Sequence, residues 1–265
     1  MDICLAAAQS PSVAGDIDAN VGMHLTFIDA ARKAGADLLL FPELSLCGYE
    51  LPLLRDCLLA PGDARLAPIR AAAQAANMTV IVGAPVIGDD AEGGKPCIAA
   101  IGYGPDGAAW VYRKQYLHAG EDRYAQAAAT GAQCRTLHGR RYAQAICADA
   151  THYRHAATAA ADGAALYLAG VLISRAGYET DAGKMRQYAA DFNMGVLMAN
   201  HAAPSGGYDA AGRSAFWAPG GELIVQAEGP GNALVVVRNK HGWRGQQLGV
   251  TLACAPSASR PPAAQ

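Results

Sequence analysis

The chain has 265 residues, of which 52% are hydrophobic, so it can bury a large core in one domain or two small ones. Its 21 basic and 23 acidic residues give a net charge of -2 without a block of like charge, which argues against nucleic acid or an anionic membrane as a partner. The seven cysteines are an odd number without a C-x-x-C pair, so neither a disulfide framework nor a structural zinc site is indicated.

The start of the chain lacks the basic residues and the long apolar run of a signal peptide. The longest apolar runs are also far shorter than the roughly 20 residues that cross a bilayer. Together with the cysteine pattern, these features predict a soluble protein of the reducing cytoplasm.

Apolar segments and helical patterns alternate along the chain, which is typical of a mixed α/β domain. A strand is predicted over Ile3–Gln9, a helix between Asp16 and Gly35, and a buried strand over 37–41. Further helices are predicted over 63–76, 152–161 and 181–192, and further strands over 79–83, 98–103, 108–112, up to 146, 164–168, 196–199, 214–217, 223–227 and 234–237. Periodicity leaves open whether the strands form one sheet or two. We expect one domain over residues 1–253 and a flexible tail, rich in Pro, Ala and Ser, over 254–265.

Cys147 directly follows an apolar strand and precedes a helical segment. Such a turn directs backbone N–H groups toward one point, and these donors are what a thiolate and an oxyanion need. A buried cysteine is more often a small hydrophobic residue, so Cys147 alone does not indicate catalysis.

Two charged residues also follow apolar strands. Glu43 adjoins the apolar run 38–42, where an unpaired carboxylate is costly, so it is either a structural carboxylate or a catalytic base. Lys114 ends another strand, although most lysines are solvated surface charges. If the strands are parallel neighbours, Glu43, Lys114 and Cys147 meet at one end of a sheet, where ligand sites gather.

The motifs around these residues resemble those of the nitrilase superfamily, also called the carbon–nitrogen hydrolases, whose catalytic set is Glu, Lys and Cys in that order. The matching segments are 41–43 with 48–49, 113–117 and 147–149, which correspond to Phe-Pro-Glu, Arg-Lys-x-x-Leu and Cys-x-Asp. The resemblance runs from residue 3 to about 237 and favours the aliphatic amidase and N-carbamoyl amidohydrolase branch. It implies a four-layer α-β-β-α sandwich and a homodimer or higher homo-oligomer that pairs through outer helices.

The resemblance also implies roles for individual residues. Glu43 would be the general base, Cys147 the nucleophile, and Lys114 the group that stabilises developing negative charge. Glu121 resembles a second glutamate of the family that positions Lys114 or hydrogen-bonds the substrate. A base and an ammonium beside Cys147 are expected to raise its thiolate fraction near neutral pH.

Three further residues are predicted to bind the substrate. The backbone N–H of Ala148 would hold the oxyanion, and Tyr49 would line the pocket. Leu172 lies in an aliphatic stretch where relatives often carry an aromatic residue, which indicates a differently shaped pocket.

The expected reaction is hydrolysis of a small non-peptide amide through a cysteine thioester, which releases ammonia and a carboxylic acid without a metal or organic cofactor. An N-carbamoyl amine or amino acid is the second candidate substrate and a nitrile the third. A non-catalytic pseudo-hydrolase that acts as a binding module is the alternative from another class.

The segment 150–155 departs from the family pattern and leaves two other interpretations open. Cys147, Asp149, His152 and His155 have a spacing that permits a metal cluster. A cysteine–histidine hydrolase with His152 or His201 as base is also conceivable, but it leaves Glu43 and Lys114 unexplained.

Overall fold

The computed structural model describes residues 2–88, 94–131 and 133–252. Within these ranges the chain forms thirteen strands and four α-helices. In chain order they are β1 (Ile3–Gln9), α1 (Ile17–Lys33), β2 (Leu38–Leu40), α2 (Ala67–Ala75), β3 (Thr79–Val86), β4 (Cys97–Tyr103), β5 (Ala109–Arg113), β6 (Arg135–Leu137), β7 (Arg140–Ile146), α3 (Tyr153–Ala161), β8 (Leu166–Val171), α4 (Tyr178–Asp191), β9 (Gly195–Asn200), β10 (Ala215–Trp217), β11 (Leu223–Gln226), β12 (Ala233–Asn239) and β13 (Trp243–Gly249).

The first sheet has seven strands in the order β13-β12-β1-β2-β3-β4-β5. β1, β2 and β3 are parallel, and β4 and β5 follow as antiparallel neighbours. Two antiparallel steps from β3 give β5 the direction of β2, so the carboxyl ends of β2 and β5 lie at the same edge. α1 covers the outer face together with α2, and the Asp16 side chain caps α1 by accepting a hydrogen bond from the Ala19 N–H.

The second sheet has six strands in the order β11-β10-β9-β8-β7-β6, and its central strands β7, β8 and β9 are parallel. α3 and α4 lie against this sheet through a core that is rich in alanine, including Ala143, Ala156 and Ala189. Because alanine side chains are short, helices approach the sheet closely there. With the sheets facing each other, the layers are helix, sheet, sheet and helix, which confirms the predicted four-layer sandwich.

Glycines allow the segment after β2 to pass between the sheets. A Cβ atom on Gly170 of β8 would lie 2.7 Å from the Phe41 carbonyl oxygen. A Cβ atom on Gly83 of β3 would meet the backbone of Pro42 and Leu44. Only residues without side chains at these two positions leave room for the backbone that carries Glu43.

Several sequence predictions need correction. β6 and β13 were not predicted, and the strands that precede the three candidate catalytic residues are not parallel neighbours. β2 and β5 are separated by β3 and β4, and β7 belongs to the other sheet. No helix among the described residues is long and apolar enough to cross a membrane. The predicted tail over 254–265 lies outside the described residues, and the single domain over 1–253 stays a prediction.

Candidate active site

Glu43 lies in a buried loop directly after β2, and contacts on both sides fix this loop. The Gly83 N–H donates to the Ser45 Oγ at 3.1 Å, and the Leu46 N–H donates to the Gly83 carbonyl at 3.0 Å. The Glu43 carbonyl lies 2.7 Å from His201 Nε2, which comes from the loop after β9 of the other sheet. The backbone position of the carboxylate is therefore set by both sheets.

Lys114 follows β5 and is completely buried between two carboxylates. Its Nζ donates to Glu43 Oε1 at 2.6 Å and to Glu121 Oε1 at 2.7 Å. Glu121 begins a short 3₁₀ turn and is fixed on its other side, since its Oε1 also accepts from the Tyr49 hydroxyl at 2.6 Å and its Oε2 from the His118 N–H at 2.7 Å. The ammonium is thus held in one place by charge-assisted hydrogen bonds.

Cys147 is the first residue of a 3₁₀ turn that follows β7. Its φ of +41° lies in the left-handed region, which is uncommon for a residue with a side chain. The Sγ atom lies 3.6 Å from the Leu172 carbonyl oxygen. The turn places the sulfur at the end of the second sheet, opposite the residues that follow β2 and β5.

Burial controls the ionisation of the base and the thiol. Burial raises the pKa of Glu43 to about 7, although the charge of Lys114 acts in the opposite direction and that of Glu121 adds to the rise. Burial also raises the pKa of Cys147 well above its ordinary value; the Glu43 charge raises it further and Lys114 lowers it. Lys114 therefore acts on the pKa of Cys147 in the expected direction, but burial and the Glu43 charge outweigh it, so the expected net increase in the thiolate fraction is wrong.

The lysine and the tyrosine keep their protons. Burial lowers the pKa of Lys114, but the charges of Glu43 and Glu121 reverse this and raise it overall. Burial and the two carboxylate charges raise the pKa of Tyr49, so its hydroxyl remains a donor to Glu121.

The sulfur opens into a cavity of about 160 Å³. All three residues that were predicted to bind substrate line this cavity, namely Tyr49, Ala148 and Leu172. A larger cavity of about 730 Å³ lies along β5 and β6, but Cys147 does not line it, so the smaller cavity is the candidate substrate site. Sequence reasoning missed other lining residues, which come from separate segments of the chain: His118, Thr151, Asp181 and Tyr208.

The structure brings the four predicted catalytic residues together and separates the histidines from them. His152 is exposed, directly precedes α3 and lies with its Nδ1 2.7 Å from the Ala148 carbonyl oxygen. The His201 ring hydrogen-bonds to the backbone carbonyl of Glu43 through Nε2, not to its carboxylate, and its pKa is lowered to about 4 by burial. In the part of the chain that the structure describes, no three His, Cys, Asp or Glu side chains converge as metal ligands. The arrangement offers a thiol, a base for its proton and a fixed cation.

Comparison with known proteins identifies the family and the fold. The family model described as carbon-nitrogen hydrolase matches residues 4–238. Three structures of an amidase from Nesterenkonia sp. AN1 are similar to this chain. The structure in complex with butyramide has a TM-score of 0.81 at 22% identity, and the match covers 89% of this chain and 90% of the amidase chain.

The second structure shows Michael addition of acrylamide at the active-site cysteine of that amidase, with a TM-score of 0.80, 22% identity and coverage of 88% and 92%. The third shows covalent addition of the acetamide moiety of fluoroacetamide at the same cysteine, with a TM-score of 0.81, 22% identity and coverage of 89% and 90%. At this level of identity the likeness shows a common fold.

Proposed function

The chain belongs to the carbon–nitrogen hydrolase family, and on that premise we propose that it hydrolyses a small carboxamide through a thioester on Cys147. The observation that carries this proposal is the state of Glu43. Its Oε2 is buried and has no hydrogen-bond partner among the described residues, while its Oε1 is held by Lys114. A buried carboxylate oxygen without a partner is costly, and a role as the acceptor of a proton during the reaction accounts for its presence.

Cys147 supplies that proton. Ile146, directly before Cys147, pairs with Gly170 of β8, and a Cβ atom on Gly170 would lie 3.5 Å from the Glu43 backbone nitrogen, so the nucleophile and the base come from neighbouring backbone segments. As the sulfur attacks the carbonyl carbon, its proton moves to Glu43 and the Sγ–C bond forms. Lys114 Nζ and the Ala148 N–H stabilise the resulting oxyanion.

The C–N bond then breaks, and Glu43 returns its proton to the leaving nitrogen, which departs as ammonia. Glu43 next takes a proton from water as the hydroxide attacks the thioester. The C–S bond breaks, the sulfur regains its proton from Glu43, and the carboxylic acid leaves. Glu121 holds the Lys114 ammonium and Tyr49 holds Glu121 throughout this cycle.

The cavity favours a small, uncharged substrate. Its volume of about 160 Å³ corresponds to roughly five water molecules at about 30 Å³ each, well below the roughly 300–1,000 Å³ of drug-sized ligand sites. None of the described residues that line it is a lysine or arginine, and Asp181 contributes a carboxylate. An N-carbamoyl amino acid would bring a second carboxylate to this cavity, where the Lys184 ammonium already pairs with Asp181 at 3.1 Å, so a simple carboxamide ranks first.

A substrate panel tests this proposal. Acetamide, propionamide and butyramide should release ammonia only, whereas an N-carbamoyl amine, the second candidate, would release ammonia and carbon dioxide. Cys147→Ala should remove turnover, and Glu43→Gln should lower kcat by at least about a hundredfold. Full turnover by either variant would overturn the mechanism, and turnover of carbamoyl compounds alone would overturn the substrate assignment.

We further propose a homo-oligomeric, cytoplasmic protein with one catalytic domain over residues 1–253. The outer helices support self-association, because Tyr153 of α3 is 51% exposed and its ring lies 5.0 Å from that of Phe192 after α4. The free state of the six described cysteines is what a reducing compartment maintains. Light scattering on the purified protein distinguishes an oligomer from a monomer of 27.3 kDa.

A further inference from the structure

One buried carboxylate connects the nucleophile turn to the lysine loop. Asp149 lies in the 3₁₀ turn of Cys147 and is fully buried. Its Oδ1 accepts from the backbone N–H groups of Gln115 at 3.0 Å and Tyr116 at 2.8 Å, the two residues directly after Lys114.

The second oxygen of Asp149 faces the strand of the nucleophile. Oδ2 accepts from the Ile146 N–H at 3.0 Å, directly before Cys147, and from the Tyr112 hydroxyl at 2.7 Å. Lys114 follows the seven-stranded sheet and Cys147 the six-stranded sheet, so this carboxylate joins the two sheets at the point where their catalytic candidates meet.

A histidine from the unusual segment 150–155 continues this network. His155 is buried in α3, with Nε2 2.8 Å from the Tyr112 hydroxyl and Nδ1 2.7 Å from the Tyr167 hydroxyl. The single hydrogen of the Tyr112 hydroxyl goes to Asp149, because an ionised carboxylate only accepts. His155 Nε2 must then carry the hydrogen that Tyr112 accepts, and Nδ1 must accept from Tyr167.

The hydrogen bonds therefore run in one direction, from Tyr167 through His155 and Tyr112 to Asp149. Burial lowers the pKa of His155, while the Asp149 charge raises it; the net lowering agrees with the neutral tautomer that this order requires. All members are buried, so each lost partner would leave an unsatisfied polar group.

We propose that Asp149 is a positioning residue that sets the distance between Lys114 and Cys147, and that His155 fixes its carboxylate through Tyr112. This inference rests on the proposed function, because the distance matters only if Lys114 stabilises charge that develops after attack by Cys147. Asp149, Tyr112 and His155 do not line the cavity beside Cys147, so they act on the reaction only through the placement of the catalytic groups.

Asp149→Asn tests the inference. One of its two oxygens is replaced by an NH₂ group, which cannot accept, so the lysine loop or the nucleophile strand is released. A displacement of about 1 Å costs roughly a hundredfold in rate; we expect a loss of that order in kcat on a turned-over carboxamide, with KM little changed. The rate at which iodoacetamide alkylates Cys147, measured by mass spectrometry, should fall as well.

Three milder variants keep the test decisive if Asp149→Asn does not fold. Tyr112→Phe removes one of the four hydrogen bonds and should lower kcat by roughly tenfold. His155→Gln keeps a donor for Tyr112 and should retain more activity than His155→Leu, which keeps none. Tyr103→Phe is the matched control, since it removes a buried tyrosine hydroxyl that donates to the Pro61 carbonyl away from the site.

The outcomes separate this inference from the proposed function. A wild-type protein that hydrolyses no amide refutes the proposed function, while the alkylation rates still test the placement of Cys147. If the folded variants keep the kcat and alkylation rate of the wild type and lose only thermal stability, Asp149 is structural and the inference is wrong.

Discussion

Glu43→Gln should lower kcat strongly and should gain stability relative to the wild type as the pH rises toward 8. Glu43 is buried at the centre of the site, and one of its carboxylate oxygens has no partner among the described residues. Burial raises the pKa of this carboxyl from its ordinary value of 4.5 to about 7 in the folded protein. A carboxylate of this kind is kept for chemistry at a cost in stability.

The sign and size of the effect follow from proton linkage. Below pH 4.5 the carboxyl is protonated in the folded and unfolded states alike. Between pH 4.5 and 7 the unfolded chain ionises first, so the stability that Glu43 contributes is lost as the pH rises through the folded-state pKa of about 7. At about 1.4 kcal/mol per pH unit, the loss amounts to about 3 kcal/mol. Glutamine does not ionise, so the variant does not lose this stability as the pH rises.

Urea denaturation from pH 4.5 to pH 8 measures this effect as a difference in the free energy of unfolding between variant and wild type. The difference is needed because burial lowers the pKa values of His24 and His201 to about 4. Their contribution to stability is lost as the pH falls, the opposite of the Glu43 effect, and it is the same in both proteins and cancels. The stability of Glu43→Gln relative to wild type should grow by about 3 kcal/mol over this range. Glu228→Gln changes an exposed glutamate and serves as the control. A difference that does not vary with pH would refute the reasoning.

Three further predictions test other parts of the site. Lys114→Met should destabilise the protein by about 3–5 kcal/mol in urea, because two buried carboxylates lose their shared cation; unchanged stability would contradict the buried ion pairs. Gly83→Ala should lower kcat by roughly a hundredfold, since its Cβ would displace the loop that carries Glu43, whereas Gly183→Ala, with open space around its Cβ, should leave kcat unchanged. Alkylation of Cys147 should rise as the pH passes about 7, the pKa of Glu43, and a profile that Glu43→Gln does not alter would exclude Glu43 as the base.

The sequence predicted the strongly apolar elements well and the polar ones poorly. β1 has the predicted bounds, and the helix predicted between Asp16 and Gly35 is α1, with Asp16 as its cap. β6 and β13 escaped because most of their residues are exposed, as in the sequence Trp-Arg-Gly-Gln-Gln-Leu-Gly of β13. Both are edge strands, which need no continuous apolar pattern.

The candidate site was found from sequence, but its assembly was not. Local patterns place Glu43, Lys114 and Cys147 at the ends of strands, yet pairing between strands is a long-range property that periodicity does not encode. The same limit applies to Asp149. The sequence places it in the Cys-x-Asp motif, but the four groups that donate hydrogen bonds to its carboxylate come from strand pairing and loop contacts that the sequence does not show. The buried position of His155 depends on which face α3 presents to the second sheet, and that choice follows from tertiary packing.

The raised pKa of Cys147 is compatible with its proposed role as nucleophile, because the reaction can proceed at constant charge. With Glu43 and Glu121 ionised, Lys114 protonated and the thiol neutral, the buried groups carry one net negative charge. Transfer of the thiol proton to Glu43 leaves this charge unchanged, and attack moves it to the oxyanion beside Lys114. Loss of the proton to solvent would instead add a second negative charge to a buried site, which desolvation opposes. Burial therefore suppresses the free thiolate while it leaves the proton transfer from thiol to Glu43 accessible, and the nucleophile forms when the base and the substrate are both in place.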